Sequence, residues 1–144
     1  VVVCKGEIIG RGYNQPISLK DPTAHAEVMA LRDAALNMQN YRLPDCELYV
    51  TVEPCTMCAG ALIHSRIQKV IFGTTEPKAG VAVSQAQLFA APFVNHQVQI
   101  VGGVLSDECA QLMQRFFIER RAARQELKKA AQAANLLNTP PASN

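Results

Sequence analysis

Two short apolar, β-branched runs open the chain, Val1 to Lys5 and Ile8 to Gly12, separated by Gly6-Glu7, and this pattern predicts a hairpin. Asn14 to Pro22 reads as a loop. Asp21-Pro22-Thr23 is a helix-start signal, after which Ala26, Met29, Ala30, Ala34 and Met38 recur at helical spacing until Asn40. His25 and Glu27 fall in the first turn of that helix. Cys46 to Val52 alternates and is rich in β-formers, so it predicts a strand. It ends at Glu53-Pro54, a dipeptide that halts a ladder and opens a helix from Cys55 to about Ser65. Lys69 to Gly73 and Gln97 to Val101 are further strands, and Ser106-Asp107-Glu108 starts a long helix running to about Ala134. Between them, Thr74 to Asn95 is broken by Pro77, Gly80 and Pro92. Part of it is expected to be a loop near a functional site, because long connections in compact domains are usually functional.

Strands alternating with helices after an opening hairpin predict an α/β fold. The expected architecture is a three-layer sandwich, with a mixed sheet of about five strands covered by helices. At 144 residues and 49% hydrophobic, the chain is one domain's worth, placed at residues 1–134. Residues 135–144, rich in Asn, Pro and Ser, are expected to form a disordered tail. The chain opens on Val1-Val2-Val3, already inside a predicted strand, so an upstream segment is expected to complete the helical cover. No apolar run approaches the roughly 20 residues of a membrane span. Five cysteines without a secretion signal suit a reducing compartment, and the cytoplasm is the expected location.

The net charge of +2 is unevenly spread. Arg115, Arg120, Arg121, Arg124, Lys128 and Lys129 face only Glu119 and Glu126 between residues 115 and 129, leaving the rest of the chain net negative. Such a basic segment is the footprint of a polyanionic partner, or else a solvated helix face.

Cys55 and Cys58 stand at i and i+3 of the predicted helix, about 60° apart around its axis, so both sulfurs face one ion. A helix start also favours the thiolate that a metal needs. His25, at the other helix start, supplies an imidazole. Three protein ligands without a fourth leave a position for water, the mark of a catalytic rather than a structural zinc. Cys4, Cys46 and Cys109 lie in apolar or amphipathic stretches without chelate spacing and read as buried small hydrophobes. Glu27, about 200° around the helix from His25, is expected outside the ligand set. There it acts on a water whose pKa zinc draws towards roughly 7. Singly, the Cys pair could be a redox motif and the His-x-Glu triplet a coincidence. Together and in this order, His25-Ala26-Glu27 and Pro54-Cys55-Thr56-Met57-Cys58 form the signature of zinc-dependent nucleobase deaminases.

Over residues 1 to about 125 the sequence resembles the bacterial tRNA-specific adenosine deaminases. The resemblance rests on Asn14 to Ile17, Asp21 to Glu27, Met38 to Leu43, Glu53 to Ala61, His64 to Ile67 and Phe116-Phe117. It implies a cytidine deaminase-like fold, one zinc per subunit on His25, Cys55 and Cys58, and Glu27 as proton shuttle. The implied reaction converts adenosine to inosine at the wobble position of an arginine tRNA. It further implies that Asn14 and the Ala26 backbone hold the flipped nucleotide, with Pro54, Glu76 and Lys78 near the substrate. Phe116, Phe117, Arg120 and Arg121 would meet the anticodon stem-loop, one of the two rings also serving the core, and the protein would be a homodimer. Three departures are the absent N-terminal helix, Glu76 in place of an Asp, and the loop Gly80-Val81-Ala82-Val83-Ser84. In that loop Val83 replaces a Gly able to adopt positive φ. Two rival readings share the zinc residues: a deaminase of a free base or nucleoside, and a zinc-stabilised binding module without catalysis.

Overall fold

The computed structural model describes residues 1–137, with no account of the side chains of residues 133–137. The chain forms two compact units, Val1–Cys109 and the segment from Ala110 onward. The sequence expectation of one domain over residues 1–134 does not anticipate this division. The expected tail begins within the long helix at residue 135, and residues 138–144 lie outside the described residues.

The first unit holds a five-stranded mixed sheet. Strands β1 (Val2–Cys4) and β2 (Glu7–Gly10) form the expected antiparallel hairpin, turned by Lys5 and Gly6, both at positive φ. Next come β3 (Cys46–Val52), antiparallel to β1, then β4 (Lys69–Thr74) and β5 (Gln99–Val101), each parallel to its predecessor. The spatial order is β2-β1-β3-β4-β5.

Helix α1 (Pro16–Leu19) occupies part of the expected loop, with Pro16 at its first position. Helix α2 (Ala26–Met38) starts later than the sequence signal suggested. The Asp21 carboxylate accepts the Thr23 N–H and hydroxyl, closing a local turn that postpones the helix to Ala26. Glu27, Ala30, Leu31 and Ala34 form its buried stripe, at helical spacing. Helix α3 (Thr56–His64) follows β3 and buries Cys58, Ala59 and Leu62. The core lies between these helices and the sheet face carrying Leu48, Val70 and Phe72, with Leu43 and Ile67 closing it. Gly10 lets β2 approach α2 closely, since a Cβ there would strike the Ala30 carbonyl and the Ala34 methyl.

Thr74 to Asn95 is largely irregular, with a single 3₁₀ turn at Leu88–Ala90 that buries Phe89. Helix α4 (Ser106–Leu137) opens on Asp107 and Glu108, acidic residues suited to a helix N-terminus, and supplies the second unit. No described helix is long and apolar enough to cross a membrane.

Candidate active site

The metal corner is built from two helix starts. His25 and Cys55 are both N-cap residues in extended backbone, and their carbonyls accept the first helical N–H groups, from Met29 and Ala59. Neither side chain caps its own helix, so both turn towards each other. This corrects the placement of His25 and Cys55 inside helical turns. The 60° and 200° separations do not apply, because one member of each pair lies outside the helix. Cys58, in the first turn of α3, completes the group.

The Nδ1 of His25 stands 3.7 Å from the Cys55 Sγ and 3.6 Å from the Cys58 Sγ. All three ligand atoms fall within 4.8 Å of one another. Zinc bonds of about 2.0–2.1 Å to nitrogen and 2.3 Å to sulfur imply tetrahedral N···S edges of roughly 3.6 Å, so the donors fit that ion. Among the described residues this is the one such cluster. Glu27, Cys4, Cys46 and Cys109 are outside it, so the described residues supply three ligands, the number that leaves a coordination position for water in a catalytic zinc site.

The helix start was expected to lower the thiol pKa. Instead burial, followed by the charges of Glu27 and Cys55, pushes the Cys58 thiol well above its usual value. Burial and the neighbouring carboxylate thus favour the neutral thiol, so metal binding at Cys58 goes with release of its proton. Cys46, also fully buried, is pushed up to about 12, chiefly by burial and then by Cys4 across the strands. It behaves as the inert hydrophobe expected.

Glu27 is only 8% exposed and sits close enough to Cys58 to raise its thiol. A cavity of about 140 Å³ lies against it, lined also by Gly12, Ala26, Ala30 and Thr51. Asn14 Oδ1 accepts the Ala26 N–H at 2.8 Å, so these two residues are brought together at the start of α2. Pro54 is buried and its carbonyl accepts the Val81 N–H. Lys78 is exposed, and its N–H donates to the Glu76 carboxylate. Val83 is not among the residues at positive φ, so the valine sits without the backbone strain that replacing a glycine threatened.

Phe116, Phe117, Arg120 and Arg121 belong to the second unit. There the two rings meet edge to face at 5.4 Å, and the Arg120 guanidinium lies 5.9 Å from the Phe116 centroid. Neither ring is core: they are 48% and 50% exposed, because a single helix has no second element of its own unit to bury them.

The residue that sequence reading missed is Glu53. It is 3% exposed, and its carboxylate accepts N–H groups from Glu76, Ala82, Val83 and Ser84 and the Ser84 hydroxyl. Burial raises its pKa, but the bonds from Ser84, Val83 and Glu76 outweigh burial and hold it down at about 2. The available signal was a glutamate at the inner end of a core strand, where carboxylates are rare.

Residues 1–74, which include every residue of the metal corner, match the family described as the cytidine and deoxycytidylate deaminase zinc-binding region. The tRNA-specific adenosine deaminase of Haemophilus influenzae is 51% identical over 114 residues, covering 79% of this chain and 66% of that protein. That of Bacillus subtilis is 40% identical over 129 residues, covering 90% and 80%. A solved structure from work on A-to-I editing by tRNA:A34 deaminases at the wobble position superposes with a TM-score of 0.75. It is 39% identical, with 77% of this chain and 80% of that one covered. The chain belongs to the cytidine and deoxycytidylate deaminase zinc-binding family and, within it, to the tRNA-specific adenosine deaminases.

Proposed function

We propose that this protein deaminates adenosine to inosine by hydrolysis at the wobble position of a tRNA anticodon, that of an arginine tRNA, with one zinc ion per subunit. The observation that carries the reading is the three-ligand corner of His25, Cys55 and Cys58 with buried Glu27 beside it. Zinc held there supplies Lewis-acid activation of a water molecule. Glu27 takes a proton from the attacking water and delivers it to N1 of adenine as the oxygen bonds to carbon 6. It then passes the second proton to the exocyclic amine, which leaves as ammonia. Confinement of the carboxylate on the buried stripe of α2 holds it at one distance from the reacting atoms.

Asn14 and the Ala26 backbone hold the extruded nucleotide, while Pro54, Glu76 and Lys78 border its neighbours. Exposed Phe116 and Phe117 offer stacking surfaces for unpaired bases, worth roughly 1–3 kcal/mol each, and Arg120 and Arg121 pair with phosphates. We further infer a homodimer acting in the cytoplasm, where thiols stay reduced.

The test compares an anticodon stem-loop with free adenosine, reading inosine formation as salt is raised. Deamination of the stem-loop far exceeds that of the nucleoside and falls with salt as phosphate contacts weaken. Equal, salt-insensitive activity on both would replace the tRNA reading with a free-nucleoside deaminase.

A further inference from the structure

Glu53 takes no part in the metal corner or the proton transfer, yet it collects more hydrogen bonds than any other side chain among the described residues. Its Oε1 accepts the N–H groups of Ala82, Val83 and Ser84 at 3.0, 2.8 and 3.0 Å. Its Oε2 accepts the Glu76 N–H at 3.0 Å and the Ser84 hydroxyl. All five donors come from one stretch, residues 76–84, which forms no helix or strand of its own.

The neighbouring backbone makes the same connection. The Pro54 carbonyl accepts the Val81 N–H at 3.0 Å, and Cys55 forms an isolated bridge with Gly80. Three consecutive residues, the last of them a metal ligand, are therefore joined to a single loop. Gly80 reports how close the approach is: a Cβ there would collide with the Glu53 carboxyl group. A buried carboxylate is tolerated only when its lone pairs are filled, so detaching the loop and exposing this group are one event.

We propose that Glu53 is a positioning residue: its carboxylate seats the 76–84 loop on the metal corner, and that seating sets the affinity for the nucleotides flanking the reacting base. The proposal rests on the deaminase reading, because Glu76 and Lys78 reach the substrate from this loop. A residue serving fold stability alone has another signature, since lost stability lowers the active fraction, and so apparent kcat, without changing KM.

The experiment measures kcat and KM on an anticodon stem-loop, zinc per chain, and hydrogen exchange at the amides of Ala82, Val83 and Ser84, in the full chain and in two variants. Glu53→Gln turns one acceptor oxygen into an NH₂ group that opposes the loop donors. Its KM rises about tenfold while kcat changes less than about threefold, and zinc stays at one per chain. The three amides exchange faster, while those of β3 and β4 stay protected. Ser84→Ala, at an exposed position, keeps the fold and raises KM about threefold in the same direction. A Glu53→Gln protein with wild-type KM overturns the proposal, whatever its exchange at residues 82–84. Should Glu53→Gln fail to fold, an unchanged KM in Ser84→Ala overturns it instead. If the wild-type protein does not turn over the stem-loop, the deaminase reading fails, and with it the substrate role of Glu53. The exchange data then report only whether the carboxylate anchors the loop.

Discussion

The metal corner and helix α4 carry the two halves of the proposed activity, and they are built on opposite principles. At the corner, the reacting groups are fixed by burial. Cys58 is fully buried, Glu27 lies on a packed helical stripe, and His25 and Cys55 are oriented by the chain leaving a strand or turn for a helix. On α4, every residue from Gln114 to Gln132 is exposed, and its basic side chains follow one another along a single helix. Bond-making chemistry depends on distances held to fractions of an ångström, which only a packed core supplies. Attraction to a phosphate backbone is long-range and tolerant of geometry, so an exposed charged helix serves it.

That contrast orders the expected effects of mutation. Cys58→Ser removes a ligand from the buried corner and abolishes both zinc retention and deamination, read by metal analysis and inosine formation. Chelating the ion from the wild-type protein has a matching effect on stability. At free zinc about 1,000-fold above Kd, binding contributes about 4 kcal/mol, which appears as a drop in Tm when the chelator is added. Glu27→Ala keeps zinc and the fold but loses about 10²- to 10⁴-fold in kcat. Loss of metal together with turnover would instead make Glu27 a ligand and remove it from proton transfer.

On α4 the effects are graded. Neutralising Arg120 and Arg121 together weakens stem-loop binding and lowers the slope of log affinity against log salt by about 1 to 2, with zinc content and nucleoside turnover unchanged. An unaltered slope would make the basic segment only a solvated face. The smallest effect concerns Asp21, whose carboxyl is held below its ordinary value first by Thr23 and then by Arg32. A depressed pKa contributes stability that is present above the unfolded value near 4 and is lost as pH falls through the lower folded value. The Tm difference between wild type and Asp21→Ala therefore narrows below about pH 4. A difference that grew on acidification would have the wrong sign.

Much of this was legible in the sequence, for identifiable reasons. Strand β3 occurs at Cys46–Val52 as read, because alternating apolar residues leave only one face for the core. His25, Cys55 and Cys58 were recoverable because chelation constrains residue type and spacing at once, and three ligands rather than four already marked the ion as catalytic. The start of α2 was misplaced because the Asp21 side chain closes a turn with Thr23 that mimics a helix start. The expectation that one of Phe116 and Phe117 is core failed because amphipathic spacing says which face is apolar, not whether anything covers it.

The sequence by itself determined the metal donors and the order of strands along the chain, and it singled out Glu27 for the proposed proton transfer, since each depends on residue type or short-range periodicity. Only the tertiary structure decided that His25 and Cys55 sit just outside their helices and that burial beside Glu27 favours the neutral Cys58 thiol. It alone also joined Glu53 to Glu76 and Ser84, more than 20 residues away. Those outcomes depend on which backbone groups a folded chain brings beside a buried charge, and no local pattern encodes that.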